Sequence, residues 1–200
     1  MSLLLSTGAF ASSLSGAGGP GMVLLTPTSI SHTGTSATVG ANGQITFSAV
    51  SVLSINGVFT ADFDNYVFVC QANANTSTNF DIRFRASGSD NSTANSYVAQ
   101  RIDITSATLD GNRTTSNVAN LTGIGSTGRS GLVTTVYGPF LAQPTVFRCV
   151  AACNEGGNAY MIHTAGTHNQ STSYDGFTIS NPSSPARLIT GTMTIYGVRS

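Results

Sequence analysis

The chain has 200 residues, of which 40% are hydrophobic and 8% charged; eight Arg, seven Asp and one Glu balance to a net charge of zero, and there is no Lys or Trp. Soluble domains carry about 25% charged residues. So sparse a set, with no basic patch, gives no electrostatic drive toward nucleic acid or an anionic membrane, and no apolar run reaches the roughly 18 residues of a membrane-spanning helix.

The chain opens MSLLLSTGAFASSLSGAGG, and no Asp, Glu, Lys or Arg occurs before Asp62. No basic residue precedes Leu3-Leu4-Leu5, and Ser and Gly interrupt the apolar run early, which argues against a secretory signal. The Gly-rich stretch from Gly16 to Gly21, with Pro20 and Pro27, breaks any helix and predicts an extended arm over residues 1–27. Left in water, Leu3, Leu4, Leu5, Phe10, Val23, Leu24 and Leu25 would be an aggregation liability. The arm is therefore expected to dock on a partner and anchor the protein. Residues 28–200 are expected to form one domain.

From Thr28 to Gly43 the composition predicts loops and an edge strand. Ile45 to Ala49 alternates as a strand does, and Asn56-Gly57 interrupts the run Val52 to Phe59 with a hairpin signal. Tyr66 to Cys70 is continuously apolar and reads as a central strand covered on both faces. Phe59, Asp62, Asp64 and Asn65 read as the corner feeding it. In Phe80 to Arg85, alternation sends Phe80, Ile82 and Phe84 inward and Asp81, Arg83 and Arg85 outward. In Tyr97 to Ile104 the same reasoning sends Ile102 and Ile104 inward and Arg101 and Asp103 outward. Residues 105–131 are rich in Thr, Ser, Asn and Gly and predict a helical turn at most, over Ser116 to Leu121. Leu132 to Tyr137, Thr145 to Cys153, Ala159 to His163, Phe177 to Ile179 and Leu188 to Val198 complete the strands. Ile189, Met193 and Ile195 of the last are expected to pair with the Tyr66 to Cys70 strand. No segment sustains a 3.6-residue period. The expected fold is all-β, a β-sandwich of jelly-roll type with an extended N-terminal arm; a barrel is the alternative.

Three cysteines cannot all pair. On one strand Cys149 and Cys153 would lie about 13 Å apart, beyond the roughly 7 Å that a disulfide spans, so buried free thiols are expected, which suits a reducing compartment. Gly123-Ile124-Gly125-Ser126-Thr127-Gly128 matches G-x-G-x-x-G, but no helix follows it, so it reads as a glycine-rich loop. Asp62 and Asp64 have glycosidase-like proximity on one strand but no cleft between them, and turn formation is the plainer reading. His163, His168 and Asp175 have no fixed mutual geometry and read as surface residues. The Asn-x-Ser/Thr triplets, such as Asn91-Ser92-Thr93, follow from composition. No catalytic, cofactor or metal site is expected.

Two stretches carry a family resemblance. One is Phe63-Asp64-Asn65-Tyr66-Val67-Phe68-Val69 followed by Phe80-Asp81-Ile82-Arg83-Phe84-Arg85-Ala86-Ser87-Gly88. The other is Tyr174-Asp175-Gly176-Phe177-Thr178-Ile179 followed by Ile189-Thr190-Gly191-Thr192-Met193-Thr194-Ile195-Tyr196-Gly197-Val198-Arg199. Over about residues 45–200 this order resembles small virion proteins of tailed bacteriophages. The resemblance implies a non-enzymatic tail, fibre or capsid-decoration component, assembled in the host cytoplasm into the virion. Its partners would be other virion proteins, copies of itself and, on the host surface, a glycan. The near-absence of charge independently favours self-association, and a trimer is what the resemblance implies. A secreted or surface lectin-like domain of a bacterium is the alternative.

Overall fold

A computed structural model describes residues 21–105, 108–180 and 186–199. The described residues hold no helix and fourteen strands: β1 (Gly21–Leu25), β2 (Ser29–Val39), β3 (Ile45–Asn56), β4 (Asn65–Ala74), β5 (Thr78–Ala86), β6 (Ser89–Asp90), β7 (Tyr97–Thr105), β8 (Thr108–Ser116), β9 (Ala119–Ile124), β10 (Ser130–Tyr137), β11 (Thr145–Glu155), β12 (Asn158–His168), β13 (Gly176–Ser180) and β14 (Ile189–Arg199). They form one antiparallel sheet in the order β6-β5-β13-β3-β14-β4-β10-β11-β12-β7-β8, with β1 on β14, β2 on β3 and β9 on β5. The fold is thus all-β, as composition and alternation predict.

The sheet curls at β3. The first half of this strand, through Val50, pairs with β14, and its second half, from Val52, pairs with β13. Between them Ala49 takes a φ of 47°, a left-handed conformation that costs a residue with a Cβ about 1–2 kcal/mol. The register with both neighbours shifts at the same level, against β2 between Thr33 and Gly34 and against β14 between Ile189 and Gly191, and each shift leaves the extra residue on β3. The Ala49 amide donates to Thr190 Oγ1 at 2.9 Å. A Cβ on Gly34 would stand 2.1 Å from the Ala49 carbonyl oxygen, so the bend closes only over glycine. Bulges bend strands and raise their twist, and two together on β3 turn one part of the sheet over the other.

The facing surfaces meet through aromatic rings. Phe68 of β4 stacks on Phe177 of β13 with centroids 4.4 Å apart. Phe59, from the connection before β4, lies 4.7 Å from Tyr66, 5.9 Å from Phe177 and 6.1 Å from Phe68. The Tyr66 hydroxyl accepts the Thr60 N–H at 2.8 Å and has the Thr60 and Phe63 carbonyls at 2.9 and 3.1 Å, which pins the corner to the strand it feeds. Met193 and Ile195 lie opposite Cys70 and Phe68, as expected of the closing strand. All three cysteines are free and buried; burial pushes the Cys149 thiol up to about 11.

Several expectations are corrected. β4 is covered on one face only: Tyr66, Phe68 and Cys70 are buried, while Val69 is 42% exposed. The strands buried on both faces are β13, throughout, and much of β5, where Asp81 and Arg85 are buried along with Phe80, Ile82 and Phe84. Arg85 tolerates this because its guanidinium pairs with Asp90 and donates to Asn56 Oδ1 (3.0 Å), Ser54 Oγ (3.0 Å), Thr178 Oγ1 (2.6 Å) and the Gly88 carbonyl. Asn56-Gly57 makes no hairpin. The chain leaves the sheet there, and the Val58 and Phe59 amides donate to the Asp175 carbonyl. In place of a helical turn, Ser116 and Leu121 belong to two strands, β8 and β9. In β7 the facing is reversed: Tyr97 and Ala99 are buried and Ile102 is 48% exposed. Tyr97 sets this phase, since its ring stacks on His168 at 4.0 Å and its hydroxyl accepts the Phe84 N–H at 2.9 Å.

Of the expected arm, Leu3, Leu4, Leu5 and Phe10 lie outside the described residues. From Gly21 the chain is already paired, as β1, to β14. Val23 and Leu25 pack against the protein's own core, and Leu24 faces outward.

Replacing the stacked ring at the centre, Phe68→Ala, should lower the unfolding free energy by about 3–5 kcal/mol, the usual loss for a buried aromatic. Urea denaturation measures it, and a loss below about 1 kcal/mol would contradict the packing described.

Candidate functional site

Alternation turns every second residue of β1, β14, β4, β10, β11, β12, β7 and β8 away from the core, and register sets these residues in rows. Thr194, Val69, Val133, Val150, His163 and Ile102 are successive cross-strand partners. In the flanking row Gly131, Ala152, Met161, Ile104 and Leu109 follow one another. On the other side come Leu24, Tyr196, Val67, Thr135, Arg148 and Ala165. Val133 is 46% exposed and Met161 54%. Charge enters these rows only through Arg148, whose Nε donates to His163 Nε2 at 2.9 Å, and Arg113 on the outermost strand, β8. A shallow depression of about 460 Å³ lies among Val69, Gly131, Val133, Val150 and Thr194, with open space where a side chain on Gly131 would stand. A contiguous exposed apolar area of this kind is the mark of an interaction surface.

The inner side of the β7–β8 hairpin is polar. Arg101 forks onto Asp103, with Nε to Oδ1 at 2.6 Å and Nη2 to Oδ2 at 2.7 Å, and its Nη1 donates to Asn120 Oδ1 at 2.7 Å. Asn120 Nδ2 in turn donates to Asp81 Oδ1 at 2.8 Å. This chain of bonds runs from a half-exposed carboxylate to one that is 4% exposed. Burial raises the Asp81 carboxyl from 3.8 to about 7, against the lowering influence of the Asn120 hydrogen bond and of Arg101 and Arg83. The network forms part of a cleft of about 350 Å³ that Asn79, Asn112, Thr114, Ser116 and Val118 complete. A second hollow of about 310 Å³ shares Asn79, Arg101 and Asp103 and adds Asp110, Glu155, Tyr160 and Arg187. Among the described residues no group of three His, Cys, Asp or Glu is placed to hold a metal ion. The cleft offers fixed planar donors and acceptors, which is the equipment for hydrogen-bond recognition.

The residues singled out from the sequence lie elsewhere. Asp62 and Asp64 are exposed in the turn before β4, with the Thr60 hydroxyl 3.4 Å from Asp62 Oδ2. His163 is on the outer face. His168, expected at the surface, is buried instead, with Nε2 2.6 Å from the Tyr174 hydroxyl; burial holds its ring at about 4 against an ordinary 6.5. Asp175 accepts the Ser87 N–H at 3.0 Å. The two histidines point to opposite sides of β12, so they form no common site. In the 123–128 loop a Cβ on Gly125 would meet the Asn154 carbonyl oxygen at 1.8 Å; there the glycine permits close packing on the end of β11. No sequence signal singles out Arg101 and Asp103, because placing Ile102 and Ile104 on the inner face turns both outward. Counting the alternation from Tyr97 places both in the cleft.

Neither the known protein families nor the curated proteins contain a match to this chain.

Asp81 and His168 predict opposing pH dependences. Asp81 titrates higher when folded, so its contribution to stability is complete below about pH 4 and is lost as pH rises through 7. His168 titrates lower when folded, so its contribution is complete above about 6.5 and is lost as pH falls through 4. Relative to wild type, Asp81→Asn should make stability climb more steeply with pH between about 4 and 6.5, and His168→Gln should make it fall. Denaturation curves across that window check both slopes.

Proposed function

We propose that the protein is a non-enzymatic structural component of a tailed-bacteriophage virion, a tail or fibre component or a capsid decoration. In this reading it assembles as a homotrimer, is anchored to the particle through its N-terminal segment, and presents a jelly-roll-like β-sandwich, with host attachment as the use of that presentation. The observation that carries the reading is the outer face of β4, β10, β11, β12 and β7. It is broad, almost free of charge and exposed in the single chain, and Val69, Val133 and Val150 meet there in one row. Burying such a face against copies of itself removes apolar area from water with little charge desolvation. Closed cyclic symmetry satisfies it without open fibres. The motif resemblance over residues 45–200 supplies the virion setting and the three-fold symmetry.

Leu24 is continuous with this face, through its pairing with Tyr196, so the N-terminal segment enters the fold at the surface that is to be covered. Val23 and Leu25 hold the root of that segment to β14. Anchoring of the particle then falls to Leu3, Leu4, Leu5 and Phe10. Three buried free thiols are consistent with assembly in the reducing host cytoplasm. Asp62 and Asp64, side by side in one exposed turn rather than across a cleft, support a structural role over glycan cleavage. A secreted or surface lectin-like module is the second reading, favoured by the polar cleft beneath β7 and β8.

Light scattering should give one species of about three times the 20.5 kDa chain mass. Val133→Asp with Val150→Asp should yield a folded monomer, because both side chains are exposed in the single chain. A wild-type monomer would overturn self-association, and a dimer would overturn only the trimer.

Deleting residues 1–20 should leave the melting transition nearly unchanged and abolish incorporation into particles, as read by mass spectrometry of purified virions. A truncated chain that still incorporates would overturn the anchoring role.

A further inference from the structure

The geometry points to the cleft between the β7–β8 hairpin and the β5–β9 pair as a binding site for a neutral saccharide. The inference rests on the presenting role proposed above for its biological use, and on the cleft alone for its chemistry.

The walls are preorganised. Asp103, Arg101, Asn120 and Asp81 hold one another in a continuous run of hydrogen bonds, so a ligand meets groups that are already oriented. Three of the five Arg101 N–H groups are engaged in that run, and two are left over. The side chains of Asn79, Asn112, Thr114 and Ser116 line the same cleft and make no hydrogen bond within the described structure. Amides and hydroxyls with unused donors and acceptors match sugar hydroxyls, each of which both donates and accepts. Tyr160 in the adjoining hollow supplies an aromatic face for the apolar side of a ring. The two hollows, about 350 and 310 Å³, share Asn79, Arg101 and Asp103. Together they are large enough for more than one ring unit.

Charge argues against other ligands. Asp103 offsets the single Arg101 in the cleft, Asp81 is partly protonated near neutral pH, and Asp110 and Glu155 outnumber Arg187 next to it, so the two hollows hold no net positive charge to attract a phosphate or sulfate. No three ligating groups converge on a point where a metal ion could sit among the described residues.

The cleft lies on the inner side of the hairpin, and the apolar rows lie on its outer side. Register states this directly: Arg101 opposes Asn112, while Ile102 opposes Gly111 on the other face. Covering the outer side in an oligomer therefore leaves the cleft open.

The test applies labelled full-length protein to an array of neutral, sialylated and sulfated glycans. The best neutral mono- or disaccharide, and inorganic phosphate, are then titrated while amide resonances are followed. The expected result is capture on neutral glycans, with shifts among residues of β7, β8 and β9. Asn112→Ala with Thr114→Ala, two side chains on the edge strand that the fold does not need, should weaken binding about tenfold or more. Capture on acidic glycans alone, capture on none, phosphate shifting the same resonances, or affinity indifferent to the double substitution would each overturn the site. Light scattering on the same sample reports the oligomer separately, so loss of the assembly reading and loss of the site are distinguishable.

Discussion

The bend at Ala49 is the constraint on which the rest of the molecule depends. One strand serves two partners, β14 and β13, and does so because two bulges fall together on it around Ala49, opposite Gly34 of β2 and Thr190 of β14. The left-handed Ala49 is unfavourable locally. It is held by the Thr190 hydroxyl and by a neighbour with no side chain. What offsets it is the aromatic packing that the bend creates. Phe68, Phe177 and Phe59 come from separate parts of the chain and meet only after the sheet has folded over. The local strain and the core packing are therefore coupled, and neither makes sense alone.

The same bend brings polar groups together. β5 and β9 end up over β7 and β12, where a Cβ on Gly123 would touch Ile162 and Arg101. Asp81 and Asp103 come from strands that do not pair with each other in the sheet. Arg101 and Asn120 bridge that gap, which keeps a buried carboxyl satisfied. Arg85 solves the equivalent problem on the other part of the same strand, with Asp90, Asn56, Ser54 and Thr178. A strand buried on both faces can carry charge when each charged group brings its partners with it.

Strand positions were largely legible in the sequence because alternation is a local signal. Phe80, Ile82 and Phe84 point inward, and Ile195 lies opposite Phe68, for that reason. Facing was less legible where both sets of residues are apolar or both are polar. In β7 the choice between Ile102 and Arg101 is made by Tyr97, whose partners Phe84 and His168 are distant in sequence. In residues 105–131 strands form from Thr, Ser and Asn because pairing, not hydrophobicity, defines them; strand preference of this kind depends on the neighbour across the sheet. Val69 looked like core because it is valine, but it belongs to a face that the single chain leaves open. The cleft was invisible for a related reason. Arg101, Asn120 and Asp81 come from three strands, and no spacing along the chain announces them.

Two of the sheet's free edges bear on how large any assembly can grow. An unpaired strand edge is a template for further strands and so for unlimited growth. At one end β8 carries Asp110 and Arg113, charges that discourage another backbone from joining. Near the bend β2 shifts register against β3 at Gly34, so it offers no long straight edge. With lateral addition discouraged at both places, the outer face of β4, β10, β11 and β12, whose extent is finite, is the larger apolar surface left open. Contacts through a face are bounded by its area, whereas contacts through a free edge repeat without limit.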